Sequence, residues 1–273
     1  MNSATLPVSV YLITRNEADN LRRLLPTLAQ FAEVVIVDCG STDPTLDVAR
    51  QFENVRTAYR AWTGFSDQKN HALSLCTQPW VLNLDADEAL TSDYVEALQQ
   101  LISEDNADAL LGPRVLLRWG KRSRSFAKDD MLVRFFRRGA GHYPPARVHE
   151  RLVINGNVLQ TKACFLHHEN LGFGERVQKS NQYSQLKAED KFARGARCTM
   201  AHLWLVLPLA FIGCYIGKGY FMDGAGGILT SLNHAWYNFM KYAKLWELQQ
   251  QATRDSAAVV TTEAAAATLP ASA

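Results

Sequence analysis

The chain has 273 residues, enough for one large domain or a domain with an appendage. Its 29 lysines and arginines against 27 aspartates and glutamates leave a net charge that says little about partners. Its five cysteines (Cys39, Cys76, Cys164, Cys198 and Cys214) are scattered and odd in number, which excludes zinc spacing and a paired disulfide framework and suits a reducing cytoplasm. No basic segment leads into an apolar run at the N-terminus, so a secretory signal peptide is not expected.

In chain order, the first third alternates strands and helices. Residues 8–13 are an apolar, β-branched run followed by polar Thr14, Arg15, Asn16 and Glu17. Leu21, Leu24, Leu25 and Leu28 then recur at helical spacing, with Asn16 or Asp19 available as a cap. Pro26 interrupts that helix, because proline removes a backbone hydrogen bond. A second buried strand, residues 34–37, ends at Asp38. After it, residues 39–44 combine a tight turn, cap candidates and a proline suited to the start of a helix running to about Phe52. A weaker strand is expected over residues 55–58, a helix over 66–76, and a strand from Trp80. This order predicts an α/β fold, a mostly parallel sheet with helices on both faces.

The strand from Trp80 ends abruptly in Asp85, Asp87 and Glu88. A strand buried on both faces cannot carry charge, so these acids lie past its C-terminal end, where open α/β sheets bind ligands. Two aspartates one residue apart can share Mg²⁺ or Mn²⁺, with a substrate's phosphates completing the shell. The plainer alternative is a solvated acidic turn before a helix capped by Thr91 or Ser92. Asn16, Glu17 and Asp38 end the other two clear strands at the same edge, as a nucleotide site requires. A dinucleotide-binding Rossmann fold is excluded, since no Gly-x-Gly-x-x-Gly follows the first strand, and no Walker loop is present. Phosphate binding would therefore rest on a metal and basic side chains.

Residues 9–17 (SVYLITRNE), 34–42 (VVIVDCGST) and 81–88 (VLNLDADE) resemble the three signature segments of family 2 glycosyltransferases of GT-A fold. Trp62-Thr63-Gly64-Phe65 with Gln68-Lys69-Asn70, residues 130–138, Val148-His149-Glu150 and residues 241–247 are similar to the bacterial subgroup that glucosylates inner-core heptose of lipopolysaccharide. The resemblance spans roughly residues 8–250; Cys39 departs from it, where the family more often has serine. It implies that Thr14, Asn16 and Glu17 line the nucleotide pocket, that Asp38 binds uracil or ribose, and that Lys69 contacts the donor. It further implies that Asp85 and Asp87 hold the donor and a Mg²⁺ or Mn²⁺ ion. Transfer would invert configuration, with a carboxylate as base. Glu150 is the candidate and Asp130 the runner-up, while His149 would be a third metal ligand or a diphosphate contact. Each residue also has a structural alternative: Asp38 or Asn16 as a helix cap, Glu150 in a salt bridge to Arg147 or Arg151.

Residues 114–151 hold eleven basic residues against three acidic ones, which leaves the remainder net acidic. Such a block suits an anionic membrane surface or a phosphorylated lipid-linked saccharide; RNA-binding aromatic motifs are absent, so nucleic acid is not expected. Residues 202–217 contain no Asp, Glu, Lys or Arg but are short and carry Pro208. With the aromatic-rich segment 229–248 they read as helices lying in a membrane interface, or as a buried hairpin. His167-His168-Glu169 resembles a metal cluster, but adjacent histidines on a strand point to opposite faces, so one is structural.

The expected organisation is a GT-A domain over residues 1–190, a membrane-associating helical region over 191–250 and a disordered tail over 251–273. The expected function is hexose transfer, with UDP-glucose as donor, onto a lipid-linked lipopolysaccharide core, at the cytoplasmic side of the inner membrane. Transfer to polyprenyl phosphate or another cell-surface glycan, and a non-catalytic nucleotide-sugar-binding protein, are the alternatives.

Overall fold

Nine residues of β1 (Leu6–Thr14) form the centre of a parallel array, with Val8, Val10 and Leu12 facing one side and Tyr11 the other, all fully buried. In the computed structural model, which describes residues 5–118, 120–126, 129–145, 151–169 and 172–267, β1 pairs with β2 (Phe31–Asp38) and β4 (Trp80–Asn83). β3 (Val55–Tyr59) extends the array beyond β2. The connections are α1 (Ala18–Leu24), α2 (Thr45–Ala49) and α3 (Phe65–Ser74), as the alternating pattern predicts. Pro26 has the expected effect: α1 stops at Leu24 and a 3₁₀ turn, Leu25–Leu28, replaces its continuation.

The second half of the sheet is mixed. After β5 (Glu88–Leu90) and α4 (Ser92–Glu104) come β6 (Ala109–Arg118), the short β7 (Lys121–Arg122) and β8 (Asp130–Arg137). A two-stranded ribbon of β9 (Gly141–His142) and β10 (Val153–Ile154) follows, then β11 (Val158–Gln160) and β12 (Phe165–Glu169). The sheet order is β3-β2-β1-β4-β8-β6-β12-β5, with β7 and β11 also paired to β6. β8 runs antiparallel to both β4 and β6, and β12 parallel to β6. The C-terminal ends of β1, β2, β4 and β12 and the start of β8 therefore share one edge.

Thr91 caps α4 by accepting from the Tyr94 amide at 3.2 Å, and Asp105 ends it at a left-handed φ of 52°. Two apolar layers sandwich the first half of the sheet: Leu21, Leu24, Leu28, Leu98 and Leu101 on one face, Ala72 and Cys76 of the α3 region on the other.

The chain divides into two compact units, residues 1–122 with 128–170 and residues 123–127 with 171–273. The division falls at 170/171 instead of 190/191 because α5 (Phe173–Ala193) packs on α7 (Gly224–Ala267). Lys244 Nζ there donates to Asn181 O (2.6 Å), Asn181 Oδ1 (2.8 Å) and Ser184 Oγ (2.9 Å). Between them α6 (Met200–Ile212) also packs on α7, with His202 stacked on Tyr242 at 4.7 Å. Helical backbone continues to Ala267, over most of the segment expected to be disordered; its alanine-rich composition favours helix over coil.

Candidate active site

The β1 and β2 ends interlock. Asp38, 2% exposed, accepts from the amides of Gly40 and Ser41 at 2.8 Å each, from the Ser41 hydroxyl, and from Thr14 Oγ1 at 3.3 Å. Burial pushes its carboxyl up, but these bonds outweigh burial and hold it below the usual range. Asn16 takes a left-handed φ of 58°; its Oδ1 accepts from Thr42 N (2.8 Å) and its amide donates to Ser41 Oγ (2.8 Å). Neither Asn16 nor Asp19 caps α1. Asp43 does so from the neighbouring loop, accepting from Ala18 N at 3.1 Å, while Glu17 N donates to Thr45 Oγ1 at 2.8 Å. Thr14, Asn16, Glu17 and Asp38 are thus brought together, with Asp38 bracing the rim of the loop that follows it.

At the end of β4, Asp85 meets two cations. Its Oδ2 accepts from Arg134 Nη2 at 2.7 Å and its Oδ1 lies 3.4 Å from Lys69 Nζ. Arg134, on β8 and 6% exposed, also donates to Asn83 Oδ1 (2.8 Å) and to Glu88. Burial raises the Asp85 carboxyl, but Arg134 and then Lys69 overcome it and hold the group ionised. Burial pushes the Glu88 carboxyl up, and Arg134 only partly offsets this. Beneath this layer the Tyr143 hydroxyl bonds Asn83 Oδ1 (3.1 Å) and the Tyr11 hydroxyl (3.0 Å). Lys69 sits over the Tyr143 ring at 5.7 Å.

Asp87 faces a different partner. His167 Nε2, on β12, lies 3.3 Å from its Oδ2, whereas His167 Nδ1 is buried without a hydrogen-bond partner, 3.9 Å from Glu88 Oε1. Two ligands adjacent on an octahedral ion bonded at about 2.1 Å lie ~3 Å apart, so this carboxylate and imidazole fit one divalent cation. Among the described residues no three His, Cys, Asp or Glu side chains gather as a metal cluster. Mg²⁺ is commonly held by only one or two carboxylates beside substrate phosphates, so the lack of a larger cluster does not exclude it. Asp85, expected as a second ligand, has both oxygens against cations instead.

Glu150 and His149 lie outside the described residues. Asp130 stands at the start of β8, on the functional edge, in a 2.7 Å ion pair with Arg114. Five arginines of the basic block of residues 114–151 are engaged in ion pairs: Arg114 with Asp130, Arg118 with Glu169, Arg122 with Asp129, Arg134 with Asp85 and Glu88, and Arg137 with Asp105 and Asp108. A charge count along the chain overstates the free basic surface, because Glu169, Asp85, Glu88, Asp105 and Asp108, which pair with Arg118, Arg134 and Arg137, lie outside the block.

Sequence marks the pair His167-His168 without saying which of the two faces the site, and it does not single out Arg134. A signal for Arg134 exists: a lone charge in the apolar run Val133-Arg134-Phe135-Phe136 must be paired once buried.

The profile of Glycosyl transferase family 2 matches residues 9–153. The lipopolysaccharide core biosynthesis glycosyltransferase LpsC of Rhizobium meliloti is 33% identical over 253 residues, covering 89% of this chain and 93% of that protein. Glycosyltransferase RT0209 of Rickettsia typhi is 27% identical over 88% of this chain and 87% of its own length. The crystal structure of S. aureus TarS 1-349 in complex with UDP-GlcNAc aligns with a TM-score of 0.49 at 17% identity, over 90% of this chain and 92% of that one. With a family match over more than half its length and a relative this similar over nearly all of it, the chain belongs to glycosyl transferase family 2.

Proposed function

We propose that the chain is an inverting glycosyltransferase that moves a hexose, glucose from UDP-glucose, onto a lipid-linked saccharide of the lipopolysaccharide core. The observation that carries this reading is the meeting of Lys69, Asp85, Asp87, Arg134 and His167 at one sheet edge. The name of the R. meliloti relative supports the choice of acceptor pathway.

Asp87 and His167 would hold Mg²⁺ or Mn²⁺, which when bound neutralises charge on the leaving diphosphate as a Lewis acid. Thr14, Asn16 and Glu17 line the nucleotide pocket, and Asp38 acts by fixing its rim. Asp85, held ionised by Arg134 and Lys69, orients the donor, and Lys69 adds positive charge beside the diphosphate. The acceptor oxygen attacks the anomeric carbon in line, the bond from that carbon to the diphosphate oxygen breaks, and the acceptor proton passes to Glu150. A positioned base of this kind contributes typically ~10²–10⁴-fold.

The second unit supports a peripheral location on the inner membrane. No residue of α6 is buried, and Trp204, Leu205, Leu209 and Ile212 recur along it at helical spacing, with exposed Ile216 in the turn of helix that follows. Residues Met200–Gly217 form one helix long and apolar enough by composition to cross a membrane; Pro208 and its 18-residue length favour an in-plane position.

Assaying hydrolysis of a nucleotide-sugar panel with Mn²⁺, and then transfer to deacylated lipopolysaccharide core, tests the reading. UDP-glucose should be the preferred donor. Turnover of no nucleotide sugar would leave only the non-catalytic binder.

A further inference from the structure

The helical unit carries a group of cations that the transfer reaction does not use. Lys187 and Lys191 stand one turn apart on α5, and Tyr237 and Lys241 one turn apart on α7, which packs on it. The lysines of the two helices converge on Tyr242. Lys191 Nζ lies 5.0 Å from the centre of its ring and Lys241 Nζ 5.3 Å. Lys241 Nζ is also 5.6 Å from the centre of the Tyr237 ring. His202, in the first turn of α6, stacks on Tyr242 at 4.7 Å and so fixes the ring between the helices.

These lysines lack an anion. Lys244, one turn further along α7, spends its donors on Asn181 and Ser184, and Glu247 and Glu189 favour its charge. Lys241 has a single acceptor, Asn238 Oδ1 at 2.9 Å, and Lys191 has no hydrogen bond or ion pair among the described residues. An ammonium has three donors, so most of theirs are unspent. Lys187 has one carboxylate, Asp190 at 3.8 Å, which also faces Arg194 at 3.9 Å. Burial, and then the charges of Lys191 and Lys187, hold the Lys241 ammonium below its usual range, and no carboxylate opposes them. The Tyr242 ring attracts both ammonium groups but neutralises neither. Stems lying along aromatic surface with heads in water would explain the rings. They would not explain why lysines of two helices meet at one ring with no acid between them.

A group with several acceptor oxygens and its own negative charge completes such a cluster, and phosphate is one that lysine binds as a point charge. The fold also indicates what carries it. His202 shares its helix with Trp204 and Leu205, which follow within one turn and are exposed. An anion site beside an exposed apolar face suits an amphiphile with a phosphate head and an apolar tail.

We propose that Lys187, Lys191 and Lys241 form a phosphate site on the helical unit, and that its ligand is the headgroup phosphate of an anionic phospholipid. The inference deepens the peripheral-membrane reading of α6 and rests on it for the carrier of the phosphate.

The test uses the full chain with Lys191→Gln and Lys241→Gln combined. A control combines Lys179→Gln and Arg254→Gln, which removes equal charge from exposed positions on the same two helices. Calorimetry with short-chain phosphatidylglycerol kept below its micelle concentration reads the site without a bilayer. Short-chain phosphatidylcholine and inorganic phosphate are the references. The parent should bind the phosphatidylglycerol best, the double variant roughly 10-fold more weakly, and the control within about twofold of the parent. Flotation of the double variant with phosphatidylglycerol vesicles should fall roughly 5-fold and with phosphatidylcholine vesicles less than about twofold. Lys191→Arg with Lys241→Arg keeps the charge and should keep the binding. Nucleotide-sugar hydrolysis should match the parent in every variant, which shows that the fold is intact. A parent that binds no short-chain phosphatidylglycerol, an equal loss in the control, or an equal loss in the arginine variant would each overturn the site. Inorganic phosphate bound as tightly as the lipid would overturn the lipid as carrier. A parent that binds the short-chain lipid but floats with no vesicle would uphold the site and overturn the membrane reading.

Discussion

Arg134 Nη2 lies 2.7 Å from Asp85 Oδ2 although 49 positions separate the two residues, and the same guanidinium also holds Asn83 and Glu88. One buried cation thus arranges the polar end of β4 on which the donor residues sit. Removing it leaves Asp85 and Glu88 without their main counter-charge in a buried setting. Arg134→Met should therefore cost about 3–5 kcal/mol of stability, measured by urea unfolding. Arg134→Lys keeps the charge but not the fork geometry, so its cost should be smaller while donor KM still rises. Parent-like stability in Arg134→Met would show that the pair is dispensable to the fold.

The metal reading makes a residue-specific claim. EDTA should abolish transfer. Asp87→Ala and His167→Ala should each raise the Mn²⁺ concentration for half-maximal activity by at least the ~10–100-fold typical of losing even an outer-shell partner. Asp85→Ala should act mainly on donor affinity, because its oxygens face Arg134 and Lys69. Full activity in EDTA would move the diphosphate's neutralisation onto Lys69 and Arg134.

The N-terminal alternation could be read from sequence because strands buried on both faces are contiguous apolar runs, as in Val34-Val35-Ile36-Val37. The convergence of Asp38 and Asp85 followed from parallel strand order alone. His167 could not be chosen over His168, since alternation says that they diverge but not which one faces the site. Only the antiparallel register of β12 on β5, with His167 opposite Glu88, selects it. How much of the basic block stays free cannot be read from sequence, because a charge count along the chain is blind to partners such as Asp105, Asp108 and Glu169. The unit boundary was placed late because α5 finds its partner in α7, across the whole of α6.

Asp38 gives a pH dependence with a defined sign. Its hydrogen bonds depress the folded-state pKa, so its contribution to stability is present above the unfolded value of about 3.9 and is lost as pH falls through the folded one. Asp38→Asn should destabilise by roughly 1.5–3 kcal/mol at pH 7, the scale of hydrogen bonds to a charged group. The gap between parent and variant should narrow as the medium is acidified below pH 4. A gap independent of pH would mean that the carboxylate's charge contributes nothing.

Glu150→Gln separates chemistry from binding. It keeps size and hydrogen bonding but removes the base, so kcat should fall by about 10²-fold or more with donor affinity nearly unchanged. A collapse of donor affinity with kcat intact would make Glu150 a binding residue, and Asp130, poised on the same edge by Arg114, would be the next to test.

The apolar face of α6 sets the last expectation. Trp204, Leu205 and Leu209 are 74%, 53% and 61% exposed, so replacing all three with serine removes little packing within the chain. Each large apolar side chain is worth about 1.5–3 kcal/mol when fully buried, so the triple variant should lose at least ~10²-fold in partitioning onto vesicles if that face enters lipid. Electrostatic attraction plays the smaller part, because five arginines of the basic block are already ion-paired. The parent protein should therefore float with anionic vesicles, bind neutral ones somewhat less, and be released only partly by high salt. Nucleotide-sugar hydrolysis by the triple variant should match the parent, since the donor residues belong to the first unit. Recovery of the parent in the soluble fraction with both kinds of vesicle would show that lipid does not cover α6, and the acceptor would then have to reach the enzyme free of the bilayer.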